Sequence, residues 1–431
     1  MPPVKNILTS FAATIVINVV TIVGGVLTAR FLLPAGRGEL AAVMLWPSLL
    51  AYAGNLGLAE AMAFYSADAA HDTRKIVASG LAIALWLSVV LVSVGYMILP
   101  LVLGRQSGEA LETTRLYLAY IPLNLVGLSL MSVLLGKMRL LEFNVLRVLV
   151  QLGFVTGIVC ICMTDQVSVR SFAWASLVSN LGTLLVALGI ILRNRWFVWQ
   201  PDLRIGQRLL GYGLKAHLGS IASLANLRLD QALISIFLPS KDLGLYVVAL
   251  SLSGIVGLAA GTLAIVAFPH IANLSSEPEK KKALGRFVRL ALALSALAAI
   301  ATLGLAPWIL SLFFGADFLP ATGAARVLIL GSIPLGLITI LTAGAKAVGH
   351  PLVSSLSEAI GLCVTGIALW ILLPVYGIMG AAWASLVAYS VVGVLMLHLM
   401  GRATGMKLTD LFRPTSDDWE YVIRKVSALG V

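Results

Sequence analysis

Twelve stretches of 18 or more predominantly apolar residues follow one another along this chain, separated by short polar segments. They run over 7–33, 40–66, 76–104, 116–136, 147–164, 169–192, 208–238, 243–271, 287–314, 321–345, 353–374 and 376–400. A helix rises about 1.5 Å per residue, so roughly 20 apolar residues cross the hydrocarbon core of a bilayer. In lipid every backbone polar group must be paired within the segment, which leaves helices and closed barrels. A barrel would show alternating segments of about ten residues, and none is visible. Charged residues make up only 11% of the 431, against about 25% in a soluble domain. The sequence therefore predicts an all-α polytopic membrane protein with twelve transmembrane helices. The first stretch is too long for a signal-peptide core and eleven like it follow, so it reads as an uncleaved helix.

The net charge of +11 is explained by placement rather than by a polyanionic partner. With the N-terminus inside, the segments assigned to the cytoplasm hold 21 of the 30 basic residues and the outer loops hold seven. Lys215 and Arg228 fall inside the seventh helix. That bias predicts both termini in the cytoplasm, and no nucleic-acid partner is expected. Cys160, Cys162 and Cys363 all lie within helices. Residues two apart point to nearly opposite faces, so Cys160 and Cys162 cannot share a metal. Buried free thiols are expected, with no metal site and no cofactor.

The hexapeptide AWASLV occurs twice, at 173–178 and 382–387. FLLP at 31–34 answers FLP at 237–239, each followed by a glycine, Gly38 and Gly244. IPLNL at 121–125 answers IPLGL at 333–337. The three matches are colinear, at offsets of about 205 to 212 residues. They pair the first helix with the seventh, the fourth with the tenth and the sixth with the twelfth. This indicates a doubled chain. Six helices per copy insert the same way up, which predicts two six-helix bundles related by a pseudo-two-fold axis along the membrane normal. The expected domains are 1–206, 207–401 and a cytoplasmic tail, 402–431. The segment FRPTSDDWEYVIRKVSAL in that tail reads as a short surface helix. Pro47, Pro122 and Pro334 fall inside helices and are candidate bends. No nucleophile elbow, zinc-protease helix, phosphate loop or dinucleotide fingerprint is present, so no catalytic residues are assigned.

Polar residues within a membrane face a cavity or a partner. The first helix carries Ser10, Thr14, Asn18, Thr21, Gly25 and Thr28 on one stripe, which fits either close helix packing or, for Asn18 above all, a cavity lining. The seventh helix is more polar. His217, Ser220, Arg228 and Gln231 fall on one side, with Lys215, Ser223, Asn226 and Asp230 roughly opposite. A helix polar on two sides borders water or protein. Asp230 reads either as a bridge to a neighbouring helix or as an ion-coupling carboxylate, and His217 either as a packed histidine or as cavity lining. Lys215 reads as snorkelling to the interface or as lining. Arg30 reads as snorkelling or as a gate residue. Arg228 is read as facing a ligand. Glu358, in the first turns of its helix, is read as favouring the N-terminal dipole.

Several segments resemble one family. TARFLLPAGRGELAAV and NLGLAEAMAFYSA are similar to the first two helices of the oligosaccharide flippases of O-antigen type, within the multidrug/oligosaccharidyl-lipid/polysaccharide exporter superfamily. GLKAHLGSIASLANLRLDQALIS with FLPSKDLGLYVVALSLS resembles their seventh and eighth helices. FFGADFLPATGAARVLILGSIPL and VYGIMGAAWASLVAYS resemble later segments. The resemblance implies alternating access, in the bacterial inner membrane, for a polyprenyl-pyrophosphate-linked oligosaccharide. It implies membrane lipids as surroundings and other polysaccharide-assembly membrane proteins as candidate partners. Arg228 is the position it makes a headgroup contact, since a guanidinium suits a phosphate. A drug/cation antiporter of the same superfamily is the alternative transporter. A membrane-embedded glycosyltransferase or polymerase is the alternative from another class, disfavoured by short, charge-poor outer loops.

Overall fold

The structure is a computed structural model that describes residues 4–68, 72–104, 106–164, 166–406 and 408–412, with side chains described for all of these except 4–8, 218–221, 223, 224, 408 and 410. The tail segment expected to form a surface helix lies almost wholly outside the described residues. Helices dominate the chain: α1 (Val4–Gly54), α2 (Leu58–Ala67), α3 (Thr73–Val102), α4 (Gly108–Tyr117), α5 (Tyr120–Gly136), α6 (Leu140–Cys162), α7 (Val169–Arg193), α8 (Leu203–Phe237), α9 (Ser240–Ala272), α10 (Glu277–Ile309), α11 (Thr322–Ala347), α12 (Pro351–Thr404) and α13 (Leu408–Phe412). A π turn, Leu310–Phe314, and a 3-10 turn, Ala316–Ala321, join α10 to α11. The protein is an all-α polytopic membrane protein, and among the described residues no strand occurs.

Local chemistry explains where the crossings begin and break. Asp72, Ser107 and Asp202 each accept a backbone N–H at a helix start. Ser168 and Ser171 form a reciprocal capping box at the head of α7, which satisfies donors the first turn leaves open. Two crossings are fused into α1 across a kink at Leu33 (φ 59°, ψ 176°). The following residue is Pro34, whose ring disfavours helical geometry in the residue before it. Two more are fused into α12 across Gly377 (φ 55°), where a missing Cβ permits the left-handed backbone. The fourth crossing breaks between α4 and α5, just ahead of Pro122. A proline ring displaces the carbonyl one turn earlier from the helical pattern, and the Leu118 carbonyl instead accepts from Ile121 at 3.0 Å. Pro47 and Pro334 sit inside continuous helices. Counted this way the helices supply the twelve crossings read from the sequence. Nine of the helical segments are long and apolar enough to span by composition alone among the described residues; the more polar α8 is not one of them.

Contacts gather the chain into two compact units. The first takes residues up to Leu224, Gln231–Val248 and Leu310–Pro320. Within it α1 packs on α6, α6 on α7, and α5 on α2, α3 and α7. Its small cores centre on Leu40, Ile158 and Phe172 and on Val43, Tyr117, Ala173 and Leu177. The second unit takes Ala225–Asp230, Ala249–Ile309 and the residues from Ala321 onward. There α10, α11 and α12 pack in sequence around Leu284, Val288, Ile340, Val392 and Met396. Helix α8 therefore gives residues to both units.

One expectation about the cysteines is corrected. All three thiols are free, but Cys160 and Cys363 are exposed and Cys162 is half-buried. In a membrane protein the outward helix faces meet lipid tails, so an apolar segment does not have to bury its small residues in protein.

Candidate functional site

The second unit holds a polar cluster built from three crossings. Asn226 and Asp230 stand four residues apart on α8 and so share a face. The first half of α12 brings Glu358 and Thr365, and the half beyond the Gly377 kink brings Ser385 and Tyr389. The Asn226 amide donates to Glu358 Oε2 at 3.1 Å. Its Oδ1 accepts from the Thr365 hydroxyl at 2.5 Å. Ser385 donates to Asp230 Oδ2 at 3.5 Å and is hydrogen-bonded to Tyr389. Asp230 is 2% exposed and Asn226 4%, while Glu358 is half-buried. A Cβ on Gly361 would lie 2.2 Å from Val392 Cγ2 and 3.3 Å from the Asn226 amide, so a bare glycine lets the neighbouring side chains close in. No cationic side chain stands within ion-pair distance of Glu358 among the described residues. Two carboxylates, three hydroxyls and an amide oxygen are hard oxygen ligands of the kind a proton or small cation meets.

The first unit holds a cavity of its own, whose apolar walls carry several polar side chains. Its volume is about 280 Å³, and α5, α6 and α7 line it through Tyr120, Asn124, Arg147, Gln151, Asn180 and Thr183, with Ile17 of α1. The Asn124 amide donates to the Tyr120 hydroxyl at 2.9 Å. Asn180 donates to the Ser176 carbonyl at 2.8 Å, and the Ser176 hydroxyl pairs with Tyr117 at 2.8 Å. Tyr117 and Tyr120 stack with centroids 5.4 Å apart. Ser176 and Ser385 are the same position of the repeated AWASLV, and Asn180 and Tyr389 follow it at the same distance. The doubled motif thus contributes to a polar cluster in each unit.

The residues singled out from the sequence do not share one environment. His217 is 1% exposed and packs against the Tyr52 ring, with centroids 5.3 Å apart. Gln231 is buried. Asn18 is half-buried, and Lys215 is exposed. The Ser220 side chain lies outside the described residues. Arg228 is exposed and lies with Asp230 and Glu358 in electrostatic range of Tyr389. Arg30 donates through Nε to the Phe313 carbonyl at 2.7 Å and through Nη2 to the Leu312 carbonyl. It therefore ties α1 to the π turn. The sequence reads Glu358 only as a partner of its helix dipole, and it gives no role to Thr365, Ser385, Asn124, Arg147, Gln151 or Asn180. The repeats did carry a signal: Asn124 lies within IPLNL and Asn180 two residues past AWASLV. Among the described residues no group of three His, Cys, Asp or Glu converges as a metal site.

The fold is that of a polytopic helical membrane protein. Its fold is that of a lipid II flippase MurJ in an inward closed conformation (14% identity, 94% of this chain and 89% of that one, TM-score 0.76). A multidrug resistance MATE family transporter in an inward-facing conformation shares it (15% identity, 90% and 94%, TM-score 0.69). A curated relative from Haloferax volcanii, described as the probable low-salt glycan biosynthesis flippase Agl15, is 23% identical over 279 residues. That match takes in 64% of this chain and spans 58% of the relative's length. The signature of the polysaccharide biosynthesis proteins matches residues 27–323. The chain belongs to that family.

Proposed function

We propose that this protein flips a polyprenyl-pyrophosphate-linked saccharide across the bacterial inner membrane by alternating access, with both termini in the cytoplasm. Membership of the polysaccharide biosynthesis family is the observation that carries this reading. The fold shared with flippases and exporters supports it. In this reading the lipid tail stays in the bilayer, and two six-helix bundles, approximately 1–206 and 207–401, work against each other. Arg228, exposed on α8, meets the pyrophosphate; a guanidinium gives phosphate oxygens a charge-assisted, forked contact. Asn18, half-buried on the first crossing, and Lys215, exposed on the seventh, line the path. The cluster of Asp230 and Glu358 supplies cation coupling, because its carboxylate, hydroxyl and amide oxygens suit a proton or a small cation. No covalent chemistry is assigned to the chain. Other membrane proteins of polysaccharide assembly are proposed neighbours.

The alternative, a drug/cation antiporter, draws on the likeness to the multidrug transporter fold and would use the same carboxylates. Proteoliposomes separate the two. Purified protein should move a fluorescent polyprenyl-pyrophosphate oligosaccharide from the inner to the outer leaflet, above the rate of empty liposomes. Transport of a hydrophobic cation with no movement of the lipid-linked glycan would establish the antiporter instead.

A further inference from the structure

We infer that the cavity in the first unit is a subsite for one acidic sugar residue of the transported glycan, with Arg147 holding the carboxylate. This rests on the flippase reading for its biological setting, but not for its test. The volume of about 280 Å³ sits at the lower edge of ligand pockets, enough for one monosaccharide and not for a chain of them. The lining has the chemistry of a sugar site. Arg147 is half-buried. Nη1 donates to Asn144 Oδ1 at 3.2 Å, and the guanidinium lies 5.7 Å from the centre of the Phe143 ring. No carboxylate lies within ion-pair distance of it among the described residues. Five N–H donors are fixed on that fork, so most are open to a planar carboxylate, which they fit two at a time.

The neighbours add selectivity for hydroxyls. Both Asn124 and Asn180 spend an amide proton on a protein partner, and each keeps a carbonyl oxygen that can accept from a sugar hydroxyl. Gln151 makes no hydrogen bond among the described residues, so its amide offers a donor and an acceptor together. The Tyr120 ring, held by its stack on Tyr117, gives a flat wall for the apolar face of a pyranose. None of the lining residues is acidic. A permanent charge among membrane helices is costly unless solvated or used, and an anionic sugar in the cavity uses it. The corresponding cluster of the second unit carries carboxylates instead, so a cation is suited to that half and an anion to this one.

The carrier's pyrophosphate is the other source of anionic oxygen, and the test distinguishes it. The full chain in lipid nanodiscs would be titrated with glucuronate, glucose and inorganic pyrophosphate, with saturation-transfer NMR reporting contact. Glucuronate should bind about tenfold more tightly than glucose, the scale of one charge-assisted contact. Arg147→Gln should remove that preference, Arg147→Lys should keep part of it, and Asn180→Ala should weaken both sugars. Equal binding of glucuronate and glucose to the unaltered protein would overturn the proposal without need of any variant. Pyrophosphate displacing glucuronate at lower concentration than glucuronate itself binds would also overturn it, by assigning the site to the carrier. An Arg147→Gln protein that keeps the preference would do the same. Since no transport is measured, failure of lipid-linked glycan flipping in proteoliposomes would sink the flippase reading and leave this site standing.

Discussion

Gly38 of α1 and Gly244 of α9 press backbone on backbone. A methyl group on Gly38 would stand 1.7 Å from the Ser240 carbonyl oxygen and 2.7 Å from the Gly244 nitrogen. One on Gly244 would stand 1.9 Å from the Pro34 carbonyl oxygen. These glycines follow FLLP and FLP, the repeated corner of the two halves, so the first copy of the corner lies directly against the second. Without a hydrophobic drive between helices in lipid, such small-residue contacts carry the packing. Gly38→Ala is expected to cost at least about 1–3 kcal/mol, the range for forcing one group too many into a filled space. Backbone on the far side leaves little room to yield. Thermal unfolding of the purified protein in detergent checks it, and an unchanged midpoint would contradict the contact.

Coupling is tested at the carboxylates. Asp230→Asn and Glu358→Gln should each reduce cation-driven flipping about tenfold or more, while the lipid-linked substrate still binds. The comparison is of initial rates in proteoliposomes with and without an imposed proton or sodium gradient. Rates that respond equally to the gradient in the unaltered and both altered proteins would remove these residues from coupling.

Arg228→Ala is expected to abolish or strongly reduce flipping, with membrane level and insertion near normal. Arg228→Lys should restore part of the activity, because the charge survives and the planar fork does not. If Arg228 instead serves a structural pair, the Ala variant will be poorly folded and neutralising the acidic partner will rescue it. A well-folded Ala variant with full transport would exclude both roles.

Orientation rests on the 21-to-seven division of basic residues. In intact cells a membrane-impermeant maleimide should label Lys241→Cys and not Lys281→Cys. Labelling of Lys281→Cys from outside would invert the proposed topology.

The crossings were legible because hydropathy and helix length depend only on local sequence. Even the irregular places had local causes: Pro34 behind the Leu33 kink, Pro122 behind the break before α5. The candidate site was less so. A helical wheel gives the face a residue occupies but not what stands opposite. Glu358 reads as a carboxylate at a helix start, and its role changes only when Asn226, 132 positions earlier in the chain, is seen donating to it. Arg147 has no signal of its own in the sequence beyond its charge, and the structure places it on a cavity with Asn124 and Asn180. His217 is a similar case: the sequence leaves cavity lining and packing open, and the Tyr52 ring tilted against it, with centroids 5.3 Å apart, comes from a distant helix.

The two copies of AWASLV serve unlike surroundings, Ser176 beside the stacked tyrosines and the cavity that holds an arginine, and Ser385 beside the Asp230 carboxylate. A newly doubled gene would have encoded twins, each fit for the same ligand. The halves of this chain differ in those surroundings, while the hexapeptide is identical in both. Exchanging the copies of the hexapeptide would therefore be silent, and exchanging the helices around them would not.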